Sequence, residues 1–191
     1  MKKMHVYSHT HWDYEWYFTA SESIVQLIYH MDEVISALES GTLKTYLLDS
    51  QVSILEEYLQ MMPEKEPVIR KLVEEGKLMI GPWYTQSDEL IISGESLARN
   101  LWYGISYARE LGNCMMIGYL PDSFGQSKDM PKLYNGFNIK EALFWRRVPN
   151  DVCKKREFYW HNTDGSEVLC YHIRDGYFYG GNLIYTDDVD K

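Results

Sequence analysis

Short apolar runs alternate with amphipathic helices through the first 145 residues, and that order limits the possible folds more than any other feature of the chain. Residues 3–9, 44–49 ("KTYLLD"), 77–81 ("KLMIG"), 115–120 ("MMIGYL") and 141–145 ("EALFW") read as strands. The first helix takes Ser21 as its N-cap, repeats Ile24, Leu27, Ile28, Met31, Ile35 and Leu38 at helical spacing, and ends at Gly41. Residues 50–62 place Val52, Leu55, Leu59 and Met62 on one side, and a shorter helix runs from Pro67 to Gly76. Residues 95–111 turn Leu97, Ala98, Leu101, Trp102, Ile105, Ala108 and Leu111 inward, and a short helix near 128–134 precedes the fifth strand. Strands separated by helices in this way predict parallel βα units, in a sheet or a barrel, and so an α/β protein. After residue 150 the pattern becomes two β-rich runs around Asp164-Gly165, a hairpin signal.

Parallel sheets place ligand sites at the carboxyl ends of their strands. His9, His11 and Asp13 follow the first predicted strand, Asp49 the second, Trp83 and Asp88 the third, Asp122 the fourth, and Arg146 and Arg147 the fifth. In "SHTHWDYEW" the alternation of His9, His11 and Asp13 would aim all three side chains one way if the chain is extended there. Imidazole and carboxylate donors without thiolate suit zinc or another divalent first-row metal, and Asp122 could join them from a neighbouring strand end. Asp122 could act there as a ligand or as a nucleophile. Two chemistries remain open at this point. Glycoside hydrolysis needs a pair of carboxyl groups, whereas metal-assisted deacetylation needs a metal-bound water and a base.

Composition narrows the partners. A net charge of −9 opposes binding to nucleic acid or to an anionic membrane. Cys114, Cys153 and Cys170 have neither CxxC spacing nor an even count, which points to buried hydrophobes in a reducing compartment. The basic start "MKKMHVYSH" leads into no apolar run of signal-peptide or membrane-span length, so a cytoplasmic protein is expected. The 16 tyrosines, 6 tryptophans and 6 phenylalanines fall partly in loops, which suits sugar or apolar ligands, although core packing explains most aromatics in most proteins and Trp83 and Trp145 read equally well as core. His5, His30, His161 and His172 match no functional pattern, and Asp49, Asp187 and Asp188 read as caps or solvated charge.

"HTHWDYEW", "GPWYTQSDE", "GYLPDSFGQS" and "NGFNIKEALFWRR" together resemble, in order and spacing, the signature blocks of glycoside hydrolase family 38, the retaining α-mannosidases. The wording of the blocks is most similar to a bacterial branch that includes mannosylglycerate hydrolases. The resemblance covers nearly the whole chain and implies part of a (β/α)7-type barrel, with the active site at the strand carboxyl ends. It also implies one zinc ion per site, another divalent metal being the alternative, held by His11, Asp13 and Asp122. Asp122 would double as the nucleophile that forms a covalent mannosyl-enzyme, and His9 would stand behind the ligands. Trp16 would be the aromatic platform for the sugar, Arg146 would lie near the nucleophile, and Asp88 would border the pocket. The implied substrate is an α-mannoside, from mannosylglycerate or from oligomannosides.

Family members continue well beyond this length, and their general acid/base aspartate and last zinc-ligand histidine lie in the later sequence. Residues 1–191 are therefore expected to be an N-terminal part of the catalytic domain, truncated, and weakly active or inactive alone. The rival readings are a metal-dependent carbohydrate deacetylase and a non-catalytic metal- or sugar-binding remnant.

Overall fold

The computed structural model describes residues 5–149, 151 and 153–178. They form two compact units, one of residues up to 86 with 94–116, the other of residues 87–93 with those from 117 onward. The parallel βα order predicted from the sequence is present. The (β/α)7 barrel is not seen, because the described strands pair in two sheets, one in each unit.

In the first unit, β1 (Ser8–Thr10), β2 (Tyr46–Leu48) and β3 (Leu78–Met79) lie parallel in that order. Their connections are α1 (Ala20–Ser40), then α2 (Ser53–Met61), a 3₁₀ turn (Pro63–Lys65) and α3 (Glu66–Glu74); α4 (Gly94–Glu110) completes the unit. All three residues of β2 are buried, as suits a central parallel strand. Leu27, Met31, Val34, Ile35 and Leu38 of α1 recur at the three- and four-residue spacing of one buried helix face. Ile69, Leu72 and Val73 do the same for α3.

Two sequence expectations fail here for identifiable reasons. The N-cap of α1 is Thr19, not Ser21: its hydroxyl accepts the Glu22 amide while the Glu22 carboxylate accepts the Thr19 amide at 2.9 Å. This reciprocal pairing satisfies two otherwise orphaned donors, which Ser21 cannot do without an acid three residues on. Thr19→Ala is expected to cost about 1 kcal/mol, read as a lower denaturant midpoint at unchanged slope. Trp102, predicted to face inward, is 56% exposed and lies against Tyr103. The reason is Gly104, where a Cβ would lie 2.3 Å from the Pro82 carbonyl oxygen. Helix α4 approaches the chain after β3 through this glycine, which turns Leu101, Gly104, Ile105 and Ala108 inward and Trp102 out.

In the second unit, β4 (Ile117–Leu120), β5 (Glu141–Phe144), β6 (Glu157–His161) and β7 (Glu167–His172) form a sheet in the order β4-β5-β7-β6. The β4–β5 and β5–β7 pairs are parallel, whereas β6–β7 is the antiparallel hairpin predicted around Asp164-Gly165. Helix α5 (Met130–Gly136) buries Tyr134, whose ring occupies the place a Cβ at Gly118 would need. Cys114 and Cys170 are buried as expected, but Cys153 is only partly covered. Among the described residues no helix is long and apolar enough to cross a membrane.

Candidate functional site

The residues expected to carry chemistry lie just past the carboxyl ends of strands, in two groups, one in each unit. In the first unit the register pairs Thr10 with Leu48, so the next residues out, His11 and Asp49, meet where the two strands stop pairing. His11 Nδ1 lies 3.1 Å from Asp49 Oδ1, and His11 Nε2 lies 3.6 Å from Asp13 Oδ1. His11 and Asp13 line a cleft of about 240 Å³ with Trp12, Trp16, Tyr17 and Phe18. Trp16 and Tyr17 are stacked, with ring centroids 5.1 Å apart, and both are largely exposed. The cleft therefore combines two metal-type donors with an aromatic wall, a surface suited to the apolar face of a sugar.

The spacing of these donors bears on whether they fit a metal. Two ligands on a tetrahedral zinc, at about 2.0–2.2 Å each, stand roughly 3.3–3.6 Å apart. His11 Nε2 and Asp13 Oδ1 already meet that spacing. Among the described residues no group of three metal-type side chains is gathered, so these two form a partial set. His9 lies within β1, its Nδ1 3.2 Å from the Thr10 carbonyl and its ring 5.6 Å from that of Tyr7.

Asp49 corrects the sequence reading most clearly. Expected as a cap or a solvated charge, it is fully buried and sits at φ +40°, a left-handed conformation that Asp tolerates better than most residues. Its position at a strand end was visible in the sequence, but its burial was not. The cause is the convergence of three loops: Trp12 comes from the first, Gln51 from the second and Gln86 from the third, and each donates a hydrogen bond to its carboxylate.

In the second unit, β4 and β5 pair Leu120 with Phe144, and two residues beyond that pair stand Asp122 and Arg146. Arg146 Nε donates to Asp122 Oδ1. The guanidinium lies 4.6 Å from the centroid of the Phe124 ring and 4.2 Å from that of Trp145, so the cation is held between aromatic faces. Asp122 is mostly covered, its side chain 14% exposed. Asp88, expected to border the pocket, accepts the Phe124 amide at 2.6 Å and so anchors the loop that carries Asp122. Arg146 also lines a cavity of about 640 Å³ with Trp145, Arg147, Arg156, His172 and Arg174.

One residue here was not anticipated. Glu89 is 4% exposed and accepts the Ser127 amide at 2.6 Å. Burial pushes its carboxyl up to about 8, against the Ser127 hydrogen bond, and the Asp88 charge adds to the rise. No spacing in "SDEL" marks Glu89 as buried. His172 is buried with Nε2 2.7 Å from the Trp145 carbonyl, a structural placement for a residue with no motif. Trp83, left between core and site by its sequence, is fully buried core.

The comparisons with known proteins agree with the motif order. The profile of the Glycosyl hydrolases family 38 N-terminal domain matches residues 1–190. A Halalkalibacterium halodurans protein, provisionally named mannosylglycerate hydrolase, is 34% identical over 98% of this chain and 22% of its own length. Alpha-mannosidase 2C1 of Mus musculus is 26% identical over 93% of the chain and 17% of its own length. The crystal structure of an alpha-mannosidase from Enterococcus faecalis superposes with a TM-score of 0.85 at 34% identity, covering 90% of this chain and 20% of that one. The chain thus spans about a fifth of the length of these relatives. With the family profile matched from residue 1 to residue 190, the chain belongs to glycosyl hydrolase family 38, in that family's N-terminal domain.

Proposed function

We propose that this chain is the N-terminal part of the catalytic domain of a retaining α-mannosidase that removes terminal α-linked mannose, from mannosylglycerate or from oligomannosides. The observation that carries the reading is the His11 and Asp13 donor pair inside a cleft walled by Trp16. His11, Asp13 and Asp122 are assigned as ligands of one zinc ion, which when bound supplies a Lewis-acidic anchor for sugar hydroxyls. Trp16 presents its ring to the sugar. Asp122 attacks the anomeric carbon as the glycosidic C–O bond breaks, giving a mannosyl ester that water then hydrolyses. Arg146 sets the rotamer of Asp122 through its hydrogen bond to Oδ1. Protonation of the leaving oxygen is assigned to a residue outside these 191. Asp88 acts by holding the loop around Phe124 in place.

The full-length protein is expected to hydrolyse an aryl α-mannoside, to lose that activity on treatment with a chelator, and to regain it with zinc. Activity indifferent to chelation, or acetate release from an acetylated sugar without mannose release, would overturn the reading.

A further inference from the structure

We infer that Asp49 is a positioning residue for the metal site: it holds the proton of His11 on Nδ1 and so presents Nε2 as the metal-binding nitrogen. The inference rests on the zinc reading above. An imidazole can bind a metal only through a nitrogen that carries no proton, and its other nitrogen sets which one that is. A carboxylate can only accept, so at 3.1 Å from Asp49 Oδ1 the Nδ1 of His11 is the donor. In the neutral imidazole Nε2 then carries the lone pair, and it lies 3.6 Å from Asp13 Oδ1.

The carboxylate is itself held rigidly. Oδ2 accepts the Trp12 amide at 2.8 Å and Gln51 Nε2 at 2.6 Å, and Oδ1 accepts Gln86 Nε2 at 2.9 Å beside His11. Gln51 is fixed in turn: its amide nitrogen also donates to the Trp12 carbonyl, and its oxygen accepts from Thr85 and from the Gln86 amide. Every group facing Asp49 in this set is a donor. The loops after all three strands of this sheet therefore converge on one acceptor whose remaining partner is the candidate ligand His11. A buried aspartate in a left-handed conformation, surrounded only by donors, is a costly arrangement to retain for packing alone.

Asp49→Asn replaces one acceptor oxygen with an NH2 group. If the amide oxygen stays with Trp12 and Gln51, the NH2 faces His11 Nδ1 and draws the ring into the other tautomer, with the proton on Nε2. The test compares zinc affinity, by competition with a chromophoric chelator, for the wild-type protein, His11→Ala and Asp49→Asn. Far-UV circular dichroism checks folding, and ¹⁵N NMR of the zinc-free wild-type protein reads the His11 tautomer. The expected result is a 10- to 100-fold loss of zinc affinity in Asp49→Asn, together with an Nδ1–H signal for His11. Wild-type affinity in a folded Asp49→Asn variant, or an Nε2–H tautomer in the wild type, would overturn the inference. If His11→Ala binds zinc as tightly as wild type, the ligand assignment itself is wrong. The tautomer measurement needs no variant, so it decides the question even if Asp49→Asn fails to fold.

Discussion

Asp122→Asn is expected to lower turnover of an activated aryl α-mannoside by on the order of 10⁴-fold or more, the scale seen when a covalent nucleophile is removed. The substitution is nearly isosteric, and its amide oxygen can still accept from Arg146 Nε, so the guanidinium keeps a partner between Phe124 and Trp145. Folding should therefore survive, with a melting temperature close to that of wild type. A dinitrophenyl leaving group is the substrate of choice, because its low pKa lets it depart without a proton. The assay then reports on attack at the anomeric carbon and not on the general acid. Saturating zinc separates loss of the nucleophile from weakened metal binding, since Asp122 is assigned to both. Wild-type should also gain the mass of one glycosyl unit when treated with a slowly hydrolysed 2-fluoro mannoside, and Asp122→Asn should not. A variant that keeps wild-type turnover would remove Asp122 from the reaction.

Local chemistry explains which parts of this protein were legible before its structure. The βα order was readable because burial on a parallel sheet and one buried face per helix leave different periodicities, as in Leu47 and Leu48 against Leu27, Met31 and Ile35. Strand-end positions followed from that order, which is why His11, Asp13, Asp122 and Arg146 could be singled out. What the sequence hid was contact between segments distant along the chain. Nothing near Asp49 announces that Trp12 and Gln86 will converge on it. Trp102 reads as inward by spacing alone, and only the approach of α4 to the backbone at Pro82 rotates it outward. Asp88 and Glu89 are adjacent acids in one loop, yet one is partly exposed and the other almost sealed. Neighbours supplied by later elements made that difference: Phe124 for one, Ser127 for the other.

Glu89 yields the second large effect, in stability against pH. Its carboxyl stands near 8 in the folded protein against an ordinary value of 4.5, chiefly because burial disfavours the charge. A carboxyl raised on folding means that between these two pH values the native state holds a proton the unfolded chain has released. Stability therefore falls as pH rises through this window, with a slope approaching about 1.4 kcal/mol per pH unit. Summed over the window, the loss is on the order of 5 kcal/mol, complete above pH 8 and absent below pH 4.5. Tyr134, whose hydroxyl is driven up by burial first and by the Glu89 charge second, marks how enclosed the site is. Glu89→Gln keeps an oxygen for the Ser127 amide and removes the titration. The variant should match wild type within about 1 kcal/mol at pH 5 and exceed it by several kcal/mol at pH 8. Chemical denaturation across that range, followed for both proteins, checks the prediction, because every other titrating group is common to the two and cancels in the difference. Parallel stability curves for the two proteins would show that Glu89 ionises without cost in the native state, and that water reaches a carboxyl the fold holds 4% exposed.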